Sequence, residues 1–451
     1  MKLKKILAAT ITAVMTLGLV SCGGATGTDS SSSAGSASSD DKTITIWAWD
    51  DTFNIKAANM AKERYLKDHP DVTINVVSMA QDDVVQKLNT SLSSGTYDGL
   101  PNIVLIEDYK IQNYLLSYPG ELKDLSGYVD PSKFMDYKLS VMTDGDKIYG
   151  VPFDSGVTAL FYRKDLIEQA GYTEADMQDI TWEKYIEIGK AVKEKTGKAM
   201  LTMDPSDLNQ IRVMMQSAGA WYVDKDGKVS INNNESLRKA VEIYKEMVDA
   251  NIAKQVSGWD AFVGAFQSGD VASVVNGCWI SSSIQAAEDQ SGQWRIAATP
   301  KMGSDSKSVN ASNSGGSSWY VLDKVGNSDL AADFLKETFA SSDDLMNDLV
   351  PAINLVSTLK SASSSENYST PSEFFGGQEI FKDFAKWTEE IPPVNYGLHT
   401  YALESIMAEG MQSIVSGKDI DEALNNTQAQ AEASVGNLSL IHISEPTRRS
   451  Y

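Results

Sequence analysis

Tryptophan set next to carboxylates is the chemically informative pattern in this chain. Nine tryptophans are present, and of those beside acids two stand out, in Trp49-Asp50-Asp51 and Trp259-Asp260. A third, Trp279, follows Asn276-Gly277-Cys278, and a further acid pair, Glu107-Asp108, closes an apolar run. Indole faces pack against C–H surfaces while carboxylates and amides bond hydroxyls. Such sets suit a ligand with an apolar ring face and a hydroxylated edge. Helix capping, worth about 0.5–2 kcal/mol, competes with ligand contact at Asp50, Asp51, Glu107 and Asp108. Trp47 and Trp49 point to opposite faces of one strand, so Trp47 is assigned to the core and Trp49 to a cleft. Trp182 and Trp387 fall at helical spacing and are expected in the core, whereas Trp221 and Trp319 divide evenly between core and cleft.

Reactive constellations are scarce. The histidines are His69, His399 and His442, and the cysteines Cys22 and Cys278. No metal-ligand spacing, phosphate loop or Ser-His-Asp set stands out, so no cofactor, metal or catalytic residue is expected. A net charge of −22 argues against nucleic acid as a partner.

The elements that must position these residues alternate. Thr43 to Trp49 reads as a strand, followed by a helix through Tyr65 that stops at His69-Pro70. Val72 to Val77 and Ile103 to Ile106 are further strands, with a helix from Asp82 to Ser94 between them. From Val157 onward strands and helices alternate again. This predicts an α/β fold with helices on both faces of a sheet, where ligands bind beyond the carboxyl ends of strands. Trp49-Asp50-Asp51 and Glu107-Asp108 occupy such ends.

The chain ends carry different signals. Lys2, Lys4 and Lys5 precede an apolar run, Ile6 to Val20, too short for a membrane span. Residues 1–21 therefore read as a signal peptide. Leu19-Val20-Ser21-Cys22 resembles the lipobox of bacterial lipoproteins, which makes Cys22 the expected lipidation site. Residues 22–41 are then an acylated cysteine and a flexible Ser-rich tether. At the other end, LSLIHISEPTR resembles the translation of a transposase adapter used for sequencing libraries, and 438–451 is treated as a scar. The remaining roughly 400 residues are too many for one core, so two domains are expected.

Several segments resemble the sugar-binding branch of the extracellular solute-binding proteins of ABC importers, which share the fold of maltose-binding protein. They are ITIWAWDDTFN (44–54), PNIVLIEDY (101–109), KIYGVPFDSGVTALFYRKDL (147–166), TWEKYIEIGKAV (181–192), FVGAFQSGDVASVVNGCWI (262–280) and VNYGLHTYALESI (394–406). The resemblance implies a two-lobed periplasmic-binding-protein fold of class II type, with discontinuous lobes joined by hinge crossings. The N-terminal lobe is expected at 42–153 plus 316–356, and the C-terminal lobe at 154–315 plus 357–437. It further implies a stacking role for Trp279, cleft positions for Tyr396 and His399, and a hinge position for Asp154. The expected partners are a sugar and the permease subunits, with a monomer anchored by lipid on the extracytoplasmic face of the cell membrane. A secreted glycosidase is the alternative from another class. It needs an acid and a base or nucleophile on opposite sides of the bond, which adjacent pairs such as Glu107-Asp108 do not establish. A binder of a non-sugar solute is the other alternative.

Overall fold

The computed structural model describes residues 42–303 and 307–444, with side chains to residue 435. The expected signal peptide, Cys22 and the tether lie outside the described residues, as does 445–451 of the expected scar.

The chain begins with strand β1 (Thr43–Ala48), helix α1 (Asn54–Tyr65), β2 (Thr73–Ser78), α2 (Gln81–Ser94), β3 (Ile103–Glu107) and α3 (Asp108–Ser117). Strand β3 is an apolar run buried along almost its whole length, as a strand covered on both faces requires. Helix α2 ends at Gly95, whose φ of 66° lets two amides return to the last turn. Then come α4 (Asp136–Val141), a small hairpin of β4 (Thr143–Asp144) and β5 (Lys147–Ile148), and β6 (Gly150–Pro152).

A second sheet follows, with β7 (Thr158–Arg163), α5 (Lys164–Gln169), α6 (Trp182–Thr196), β8 (Ala199–Met203), α7 (Asn209–Ser217), α8 (Glu235–Asp249), β9 (Ala253–Gln255), α9 (Trp259–Gln267), β10 (Val271–Gly277), α10 (Ile280–Gln285) and β11 (Trp294–Ala298). Helix α6 is capped by Thr181, whose Oγ1 accepts from the Lys184 amide at 3.3 Å. The chain then returns through β12 (Ser317–Val321), α11 (Ser328–Glu337) and α12 (Asp343–Ile353). It ends in α13 (Ile380–Glu389), α14 (Thr400–Val415) and α15 (Ile420–Ser444). Helix α15 thus runs past residue 437 into the expected scar.

The strand order is β2-β1-β3-β12-β6 in one lobe and β11-β7-β10-β8-β9 in the other. Strand β12 runs antiparallel to both β3 and β6, so a segment from late in the chain sits inside the first sheet. Three stretches cross between the sheets and bond one another. Asp154 bridges Ser357, Val157 bridges Asn313, and the Ser155 amide donates to the Val356 carbonyl at 2.9 Å.

Candidate ligand-binding cleft

Between the two sheets lies a cleft of about 980 Å³. Its N-terminal-lobe wall comes from the β1–α1 turn (Trp49, Asp50, Asn54) and from Gln81 and Glu107 at the starts of α2 and α3. The opposing wall presents Trp259 from the first turn of α9, with Trp279, Ser282 and Ser283 after β10. Asp154 and Gly315 to Ser317, from the crossings, form the floor.

The indoles are held at defined angles. Trp279 Nε1 donates to the Ser314 carbonyl at 2.9 Å, fixing the ring to a crossing segment. Trp259 is 52% exposed, and its ring centre lies 5.9 Å from that of Trp279 at 40°. Phe262 stacks beneath Trp259 at 5.8 Å. A large apolar ring left that exposed marks a surface shaped for contact. Gly277 makes room: a Cβ there would lie 2.2 Å from Trp279 Nε1.

Polar groups in the cleft differ in how fully the protein uses them. Asp50 adopts φ 61°, and its Oδ1 accepts from Thr52 and from the Phe53 amide, so it shapes the turn into α1. Glu107 accepts from Lys110 at 2.9 Å, Gln81 at 3.3 Å and Tyr401 at 2.5 Å. Desolvation, and next the Glu107 charge, push the Tyr401 phenol up, so it remains a donor. Asp154 Oδ1 accepts from the Ser317 amide and hydroxyl. Asn54 is buried, and its Oδ1 accepts no hydrogen bond within the protein, leaving an acceptor at the cleft wall.

Several expected site residues lie elsewhere. Asp108 is buried and pairs with fully buried Lys138, whose ammonium also donates to the Asp154 and Ser317 carbonyls at 2.8 and 2.9 Å. Burial pushes the Asp108 carboxyl up to about 6, with Lys138 opposing. This residue locks the crossings together and does not face the cleft. Trp319 is wholly buried, packing on Phe153 and Phe339, because β12 is an interior strand. Trp221 and Tyr396 are buried against Tyr109 of the other lobe, with ring centres 5.5 and 4.8 Å from it. Trp221 donates to Thr400, and Tyr396 to Gln216. Both serve the contact between lobes. His399 lines a neighbouring groove with Asp82, Asn113 and Tyr401. Asp51 and Asp260 are exposed and outside the cleft lining.

Sequence reasoning missed Tyr401, Asn54, Gln81 and the serine pair 282–283. Tyr401 stood in the quoted segment VNYGLHTY, and its spacing from Tyr396 was the available signal. Cys278 is buried, with its Sγ donating to the Ser155 carbonyl, and burial raises its thiol pKa, which disfavours the thiolate.

Residues 60–376 match the model of a family described as bacterial extracellular solute-binding protein. The chain is 44% identical over 392 residues to the lactose-binding protein of Rhizobium radiobacter, covering 87% of this chain and 93% of that one. It is 27% identical over 311 residues to an arabinooligosaccharide-binding protein of Bacillus subtilis, covering 66% and 70%. Among solved structures, the sugar-binding protein MalE from Xanthomonas citri shares its fold with TM-score 0.74 at 19% identity, covering 89% of this chain and all of that one (100%). The galacto-N-biose-/lacto-N-biose I-binding protein of Bifidobacterium longum aligns with TM-score 0.70 at 22% identity, covering 88% and 97%. With two sheets, crossing segments and an open cleft between them, the chain belongs to the bacterial extracellular solute-binding proteins.

Proposed function

We propose that this protein captures a sugar in the interlobe cleft and delivers it to the permease of an ABC importer. The observation that carries this reading is the convergence of Trp49, Trp259 and Trp279 on a floor of amide, hydroxyl and carboxylate groups. Rings from both lobes can cover both faces of a pyranose, while Asn54, Asp154 and Glu107 address its hydroxyls. Of the acids named from sequence, Asp50, Glu107 and Asp154 belong to this site, and Asp108 supports it from behind. The lobes divide at the crossings, near 153–155, 313–318 and 356–361, and hinge there so that the loaded, closed form is what the permease recognises.

The protein binds without cutting. Among the described residues of the cleft, Glu107 and Asp154 are each tied to protein donors, which supports binding over an acid and a nucleophile paired across a bond. Cys22 is the acylation site after removal of 1–21, and a monomer stays tethered to the outer face of the cell membrane by its lipid and the 22–41 linker. Radiolabelled palmitate incorporation that is lost in Cys22→Ala tests the anchor.

The central test is a thermal-shift screen of mono- and oligosaccharides, with lactose first because the similar Rhizobium radiobacter protein is named for it. A ligand at about 100 times its Kd adds about 2.7 kcal/mol to stability. A saturable shift with one saccharide class supports the reading. A flat screen beside a clean isotherm for an unrelated solute, or hydrolysis at catalytic turnover, overturns it.

A further inference from the structure

On the N-terminal lobe, away from the cleft, His69 meets two carboxylates from another element. Asp333 and Glu337 stand four residues apart on α11, a spacing that puts both on one helical face. His69 lies in the connection from α1 to β2. One ligand atom from each of the three residues lies within 4.8 Å of the other two. His69 Nε2 is 2.8 Å from Glu337 Oε2.

The imidazole is held in place. Its ring stacks on Tyr65 at 4.0 Å between centres and 12° between planes. Tyr65 is itself buried, and its hydroxyl donates to Asp333 Oδ2 at 3.2 Å. One tyrosine therefore orients two of the three groups, the arrangement by which outer residues aim metal ligands. Neighbouring Asp71 is bonded to Lys42, at the first described residue of the lobe.

We propose that His69, Asp333 and Glu337 form a surface site for a divalent transition metal, with zinc the best match to one imidazole and two carboxylates. Zinc accepts nitrogen at about 2.0–2.1 Å and carboxylate oxygen at about 2.0–2.2 Å, so small rotamer changes bring three ligands onto one ion and leave a position for water. The cluster is near the amino-terminal ends of β1 and β2, since Thr43 pairs with Thr73, whereas the cleft lies beyond their other ends. Bound metal would staple the α1–β2 connection to α11, raising the stability of this lobe and leaving sugar affinity unchanged.

The test is calorimetric titration of zinc chloride into the chelator-treated full chain, with melting temperature measured in parallel. One equivalent should bind with a dissociation constant near or below about 100 μM and raise the melting temperature. Glu337→Gln and His69→Ala should each weaken binding by tenfold or more. Asp333→Asn, which retains a partner for Tyr65, should do the same with the fold intact by circular dichroism. Absence of saturable uptake up to about millimolar zinc, or uptake unchanged in all three variants, would overturn the proposal. Neither result bears on sugar binding, which is read separately with metal absent.

Discussion

Tyr401, on α14 of the C-terminal lobe, reaches across to Glu107 at the end of β3 and donates to its carboxylate at 2.5 Å. Lys110 lies over the same tyrosine ring at 4.7 Å and bonds the same carboxylate. This contact ties the two lobes beside the cleft. Removing the hydroxyl with Tyr401→Phe should cost about 1–2 kcal/mol of lobe–lobe attraction. Small-angle scattering of the sugar-free variant should show a larger radius of gyration. An unchanged radius would mean that the bond does not set the separation.

Trp279→Ala should weaken the best sugar by tenfold or more while leaving the melting temperature of the sugar-free protein within a few degrees. Gly277→Ala displaces the same ring from a neighbouring position, since the added methyl would collide with the indole nitrogen and with the Ser314 carbonyl. It should weaken binding in the same direction. Affinity unaltered in both variants would remove Trp279 from the site.

Trp319 supplies the contrast. It is fully enclosed by Phe153 and Phe339, so Trp319→Ala should lower unfolding free energy by about 3–5 kcal/mol in urea melts. A stable variant with lost affinity would instead move this residue into the cleft.

Lys138→Met should destabilise the protein at neutral pH by about 3–5 kcal/mol, because the Asp108 carboxylate keeps its enclosed position without a counter-charge. Replacing both, as Asp108→Leu with Lys138→Met, should cost less than the single change. Chemical denaturation of both variants beside the wild type checks the order.

The same carboxyl gives a pH signature. Burial lifts it to about 6, above its ordinary value. Between about pH 4 and pH 6 the native form holds a proton that the unfolded chain has released, so stability falls as pH rises through that window, by about 3 kcal/mol. Asp130 and Asp176 are held low by bonds from Ser132 and Thr173, so their contributions are lost only on acidification below the usual carboxylate range. The wild-type urea midpoint should therefore decline from about pH 4 to 6, and the slope should be shallower in Asp108→Asn, where Glu404 and Asp383, whose carboxyls burial also raises, supply the rest.

Local order in the sequence was enough to read strand ends and the tryptophans that follow them: Trp49, Trp259 and Trp279 all line the cleft. It could not separate Glu107 from Asp108. Adjacent residues at the start of a helix diverge in direction, and only the arrival of Lys138 from α4 decides which one is enclosed. Trp319 was undecidable for a related reason. Whether a strand is interior depends on partners far away in sequence, here β3 and β6. Tyr401 and Asn54 escaped notice because their role comes from facing the opposite lobe or the cleft, which no local pattern encodes.

The position of β12 constrains how the molecule can assemble. By Ala298 a growing polypeptide already holds every strand of the second sheet, while the first is still split, with β6 cut off from β3 until Ser317 to Val321 slots between them. Pairings of such long sequence separation close slowly. A nascent chain in this state can finish one half while the other still waits for its central strand.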